Sequence, residues 1–241
     1  MKSEYSLDKI KFSVDRGTFQ RAVKIFEDKK ITKFKELAGA YSANVIGTSP
    51  YEVVVSKQGF DMGSCNCYLG QNDTLCKHMI ALAIYSLFRG KPLTEAEKEQ
   101  ITESKSSGKV GSLLTHKASA VKQEITKLLK YIKPYNGPSR IWFQYQDSLS
   151  EGCNRLSALV SKLPICMQSA DILVNLLLRL DRKLSTGGVD DSDGTVGDFI
   201  VGVVGVLQQY AKNVPECKES FKKLRNRETC FGWEESLIKQ I

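Results

Sequence analysis

Long apolar runs are missing from this sequence. The longest stretch built only of apolar residues and glycine, residues 199–207, is too short to cross a bilayer as a helix. The first eight residues contain no apolar core of the signal-peptide kind, so no secretory leader is expected. No phosphate-binding glycine loop, nucleophile elbow or HExxH helix occurs, and there is no CxxC pair. Nothing here argues catalysis, no small-molecule substrate is evident, and an enzyme is not expected. Histidine is scarce, with two in 241 residues. The cysteines number seven, which excludes complete intrachain pairing. Three of them sit close together beside a histidine, a pattern that suits metal binding in a reducing compartment better than a disulfide framework. The expected location is the cytoplasm.

What is present is ordinary globular composition, with 41% hydrophobic and 26% charged residues. The length allows one large domain or two modest ones, each able to bury a core. The net charge is +8, and its distribution matters more than its total. Residues 101–140 hold eight bases (Lys105, Lys109, Lys117, Lys122, Lys127, Lys130, Lys133, Arg140) against two acids, a net of +6. Residues 1–40 hold ten bases against six acids, a net of +4. These clusters make either a nucleic-acid-binding surface or the solvated faces of helices.

The pattern of apolar residues predicts an α+β chain. Residues 17–29 read as a helix through Phe19, Val23 and Phe26. Residues 31–37 alternate imperfectly, with Phe34 one step out of register. Residues 40–46 and 51–56 alternate more cleanly around the turn Gly47-Thr48-Ser49-Pro50, and a further strand is expected from about Phe60 into Cys65. These make a small antiparallel meander. A helix follows over 75–89, apolar on nearly every face and therefore buried on more than one side. Thr94-x-x-Glu97 has the form of a capping box. The composition of residues 104–110 is that of a linker, dividing a domain over 1–103 from an all-α domain over 111–241. In the latter, helices are expected over 113–132, 139–163, 167–184, 196–214, 215–227 and 233–241, joined by short loops as a bundle or a stack of hairpins.

The most specific feature is the run from Cys65 to His78: Cys65-x-Cys67, eight residues, then Cys76-x-His78. Three thiolates and one imidazole complete a tetrahedral zinc shell and leave no position open for a substrate water. Cys65 and Cys67, alternating on extended chain, point the same way. Cys76 and His78 cannot share a face inside an ideal helix, because two residues subtend about 200°. Cys76 therefore belongs at the start of the helix and His78 in its first turn, where the helix N-terminus also favours the thiolate.

This spacing is unlike that of finger motifs with CxxC and paired histidines. It resembles the SWIM zinc-finger family at all four ligand positions, Cys65, Cys67, Cys76 and His78, with a meander before them and an apolar helix after. The resemblance covers about residues 10–95. More loosely, residues 189–200 and Phe231-Gly232-Trp233-Glu234 are similar to the helical region attached to such modules in bacterial proteins. The resemblance implies a structural zinc ion and binding to DNA or other nucleic acid. Its alternative is a protein–protein adaptor, beside an ATPase of the Swi/Snf type or a recombination factor.

Other groups carry less. Read as a calcium loop, Asp190-Asp191-Ser192-Asp193-Gly194 fails, because its first position would be Val189 and its twelfth Ile200. It reads as a polar turn in which Asp193 or Thr195 caps the next helix. His116 has no ligand-spaced neighbour and is expected at the surface. Cys153, Cys166, Cys217 and Cys230 are expected as buried small hydrophobes. The run Trp142-Phe143-Gln144-Tyr145 either stacks bases or packs in a core.

Overall fold

The computed structural model describes residues 3–139 and 142–241, with only the backbone of Phe143 and Gln144. The architecture is α+β, a four-stranded antiparallel sheet followed by a helical region. The chain divides into two compact units, Met1–Gln100 and Ile101–Ile241.

The first unit opens with helix α1, Leu7–Phe12, capped by Ser6, and α2, Arg16–Glu27, capped by the Asp15 carboxylate, which accepts from the Thr18 N–H at 2.9 Å. The sequence pattern points to α2 but not α1, which is too short to show a period. Strands β1 (Ile31–Glu36), β2 (Ala40–Ile46), β3 (Pro50–Ser56) and β4 (Gly63–Cys65) follow in the order β1-β2-β3-β4. Tyr41, Ala43, Val45, Val53 and Val55 point to one buried face, as a period of two requires. The misplaced Phe34 has a physical cause: the β1–β2 register shifts between Thr32 and Lys35, and Lys33 takes a positive φ of 51°. That bulge absorbs the extra residue. Strand β4 is shorter than expected; Phe60 is buried but lies in the preceding turn.

A helical turn, α3 (Tyr68–Gln71), occupies the loop between the cysteine pairs, and α4 (Lys77–Phe88) follows it. Helix α4 packs against α1, α2 and the sheet, so residues 78–84 are all buried. It ends at Arg89 in the left-handed conformation, before Gly90. Thr94 and Glu97 form the expected capping box on α5 (Glu95–Lys98). Gln100 then donates to the carbonyls of Lys11 and Val14, tying this end of the unit to its first helix.

The second unit is all helical: α6 (Thr115–Leu128), α7 (Trp142–Val160), α8 (Met167–Ser185), α9 (Thr195–Asn213), a 3-10 helix (Pro215–Leu224) and α10 (Glu235–Ile238). Helix α9 packs on α7, α8, the 3-10 helix and α10, with Phe199, Ile200, Val203, Leu207 and Tyr210 facing inward. Residues 104–109 do not hang free as composition suggests. Ser107 donates to the Leu163 carbonyl at 2.6 Å, and Lys109 accepts from the Ile165 N–H at 2.7 Å.

Three expectations for this unit need correction. The helix expected over 233–241 has only the four residues of α10, and Pro215–Leu224 winds as 3-10 helix. At the start of α9 the Asp193 carboxylate accepts from the Thr195 N–H at 3.3 Å, as one of the two expected caps, but Thr195 is inside the helix and most of the capping comes from elsewhere. Gly194 occupies the N-cap with φ 77°, and the Asp191 carboxylate reaches in to accept from the Val196 and Gly197 N–H groups, both at 2.8 Å. A left-handed glycine at the cap position moves the free amides within reach of a residue further back.

Candidate metal centre

The site is assembled from the end of one strand and the starts of two helices. Strand β4 finishes at Cys65, whose side chain is buried, and pairs with Val53 of β3. Cys67 stays extended but has left the strand; it is the N-cap of α3, and its Sγ accepts from the Gly70 N–H at 3.4 Å. The two sulfurs thus converge through strand and cap and not through strand alternation alone. Gly70 is required at this corner, since a Cβ there would lie 2.2 Å from the Cys65 carbonyl oxygen. On the other side Cys76 is the N-cap of α4, extended at φ −113° and ψ 161°, and His78 is in the first turn.

The ligand atoms of Cys65, Cys67, Cys76 and His78 all lie within 4.8 Å of one another, and all four residues are buried. The Nδ1 atom of His78 sits 3.8 Å from the Sγ of Cys65 and 3.8 Å from that of Cys76. Metal–sulfur bonds of about 2.3 Å and a metal–nitrogen bond of about 2.0 Å separate tetrahedral donors by roughly 3.5–3.8 Å. The cluster needs only a small contraction to meet that geometry. Its donor set, soft thiolates with one imidazole, is a zinc set.

The electrostatics favour thiolate at Cys76. Its pKa is pulled down to about 4, first by the hydrogen bond from the Cys65 thiol, with further bonds from His78 and the Met79 N–H and with burial acting the other way. Cys65 is pushed up for the converse reason, since it holds the proton it shares with Cys76. A cation at the centre would draw all three protons off, because metal-bound sulfur is thiolate.

With Nδ1 facing the sulfurs, the other ring nitrogen of His78 points away. Its Nε2 is buried and has no hydrogen-bond partner among the described residues. The imidazole instead stacks on Tyr51, with centroids 4.4 Å apart and planes at 28°. Gly47 closes the space beyond; a Cβ there would lie 2.8 Å from Nε2. Tyr51, Gly47 and Gly70 are supporting residues that spacing does not reveal.

The remaining candidates lie elsewhere. His116 is exposed on α6. Cys153, Cys166 and Cys217 are buried, whereas Cys230, expected in a core, is exposed and donates its thiol to the Asp181 carbonyl at 3.3 Å. It falls in the turn before α10, where no second layer covers it. Tyr145 is buried and Trp142 donates to the Asp190 carboxylate at 2.9 Å; the side chain of Phe143 lies outside the described residues. Arg140, counted among the basic residues, also lies outside them.

A Cys-x-Cys running from the end of a strand into a helix cap and a Cys-x-His at the head of a buried helix, converging on one point, define a zinc-finger class of module. Residues 51–87 match the family model of the SWIM zinc finger. No curated protein and no solved structure matches the chain. No helix among the described residues is long and apolar enough to cross a membrane.

Proposed function

We propose that the chain is a non-catalytic nucleic-acid-binding protein in which the zinc ion is structural. Such a module holds a metal, and that metal is zinc. The observation that carries the reading is the closed, fully buried donor set. Four protein ligands leave no coordination position for a substrate, so recognition must take place beside the ion and not on it. The chain is positive, with a net charge of +8; residues 1–40 carry +4 and residues 101–140 carry +6, offset by acidic stretches elsewhere. Bases neutralising phosphates release counterions, so binding must weaken steeply with salt. Titration of DNA and RNA with the zinc-loaded chain at 50 and 200 mM salt tests this. Absence of binding at the lower concentration ends the reading. Abundant free thiols support a reducing cytoplasm as its setting.

A second reading, a protein adaptor, is favoured by one observation. Met62, Tyr68 and Leu69, which flank the first cysteine pair, are exposed, Tyr68 at 81%. Apolar side chains left in water beside a rigid knuckle suit a protein partner. Recovery of a stoichiometric partner from native extract, lost with Tyr68→Ser, would favour this reading over the first.

A further inference from the structure

We propose that the helical unit carries a groove for a single strand of nucleic acid, formed where the end of α6 meets α7. This rests on the nucleic-acid reading above and assigns it a surface and a strandedness. Lys127, Lys130, Lys133 and Arg155 line a cavity of about 530 Å³, with Glu124, which pairs with Lys127, and the Tyr131 ring and Ser148 among its walls. Through Lys133 and Ser148 it adjoins a second cavity of about 510 Å³, lined by Tyr135 and Tyr145. Lys130 and Lys133 are exposed, and neither has an acidic partner among the described residues.

The segment that presents these groups is fixed from behind. Three successive carbonyls just past the end of α6 would otherwise compete for the lysines. Each is taken by a side chain: Ser148 donates to Tyr131 at 3.0 Å, Lys183 to Ile132 at 2.6 Å and Tyr145 to Lys133 at 2.9 Å. The Tyr131 and Lys133 side chains are thereby presented on a rigid backbone. Arg155 is likewise held, bonded to Glu151 and lying over the Tyr131 ring at 5.3 Å. The groove therefore combines Lys130 and Lys133, exposed and without acidic partners among the described residues, with aromatic rings, the two components of sequence-tolerant single-strand binding. Cavities of this volume admit a small organic group such as a nucleobase, and a duplex keeps its bases stacked inside.

The test uses the full zinc-loaded chain and fluorescence anisotropy with fluorescein-labelled dT15, U15 and a 15-base-pair duplex. The wild type is expected to bind single strands more tightly than the duplex, the dT15 and U15 arms separating DNA from RNA. Lys130→Ala with Lys133→Ala should lower single-strand affinity on the order of tenfold. It should also reduce the salt slope by about 1.4, roughly 0.7 for each lost phosphate contact. Ultraviolet crosslinking of the unaltered chain to U15 should mark Tyr131 or Tyr135, which tests the groove without a variant. If the wild type binds none of the three probes, the nucleic-acid reading fails and the groove with it. If it binds but the double variant binds equally, or the duplex is preferred, or crosslinks fall outside this groove, the groove is overturned and the broader reading stands.

Discussion

The imidazole of His78 lies against the ring of Tyr51 with centroids 4.4 Å apart and planes inclined by 28°. Tyr51 belongs to β3 and His78 to α4, so this contact orients the one nitrogen ligand from the sheet side. Its hydroxyl is fixed in turn by Thr48 at 2.8 Å. Residues that orient a ligand commonly alter metal affinity by about 10–100-fold when changed.

Gly47→Ala should act through that contact. The added methyl would lie 2.8 Å from His78 Nε2 and 2.9 Å from Tyr51 Cε2, so the stacked pair must shift. Zinc affinity measured by chelator competition should fall by about 10–100-fold with the unit still folded. Unchanged affinity would show that the stack does not position the ligand.

Gly70→Ala should be the more damaging of the two. There the conflict is with backbone, at 2.2 Å from the Cys65 carbonyl oxygen, and backbone cannot rotate away. The purified variant should hold well under one zinc per chain. Gly39→Ala is the control, since nothing lies within 4 Å of its Cβ position. Equal zinc content in all three would refute the role given to Gly70.

Thiol labelling should count the cysteines by environment. Cys230 alone is exposed, so the zinc-loaded native chain should take up one alkylating group, more rapidly as pH rises because its own thiol is pushed above the usual range by burial and by Asp181. Burial pushes Cys217 up to about 11 and Cys153 higher still, which keeps both unreactive. Strong chelator should expose Cys65, Cys67 and Cys76 and raise the count to four. Labelling of those three with zinc present would contradict a closed site.

The Asp15 cap predicts an acid effect. Hydrogen bonds from Thr18, side chain and backbone, hold its carboxyl below the usual value. A depressed carboxyl stabilises the fold above its unfolded pKa, and that contribution is lost as pH falls through the folded one. Asp15→Ala should cost about 1 kcal/mol near neutrality by urea unfolding. Asp15→Asn should keep most of the cap and flatten the acid limb of stability. A steeper limb in Asp15→Asn would contradict the assignment.

Much of the first unit is legible in the sequence because its signals are local. Alternation placed β2 and β3, and even the irregular Phe34 registers the bulge at Lys33. The metal residues are legible because ligand spacing survives folding, and their positions around a helix start follow from its geometry. What supports them was hidden: Gly47 and Tyr51 meet His78 across the sheet, a relation no linear pattern carries. In the second unit, helix periodicity identified elements but misplaced their ends. Asp191 caps α9 from five residues before Val196, and α10 stops after one turn. The first depends on the left-handed turn at Gly194 and the second on where the last turn packs, and helix periodicity encodes neither.

X-ray absorption at the zinc edge, combined with metal analysis, tests the central claim most directly. The account predicts about one zinc per chain, bound by three sulfurs at about 2.3 Å and one nitrogen at about 2.0 Å with no oxygen ligand. Cys76→Ser should lose the metal and unfold Met1–Gln100. A fully folded, metal-free wild type, or a zinc ion with a bound water in place of one of the four ligands, would contradict it.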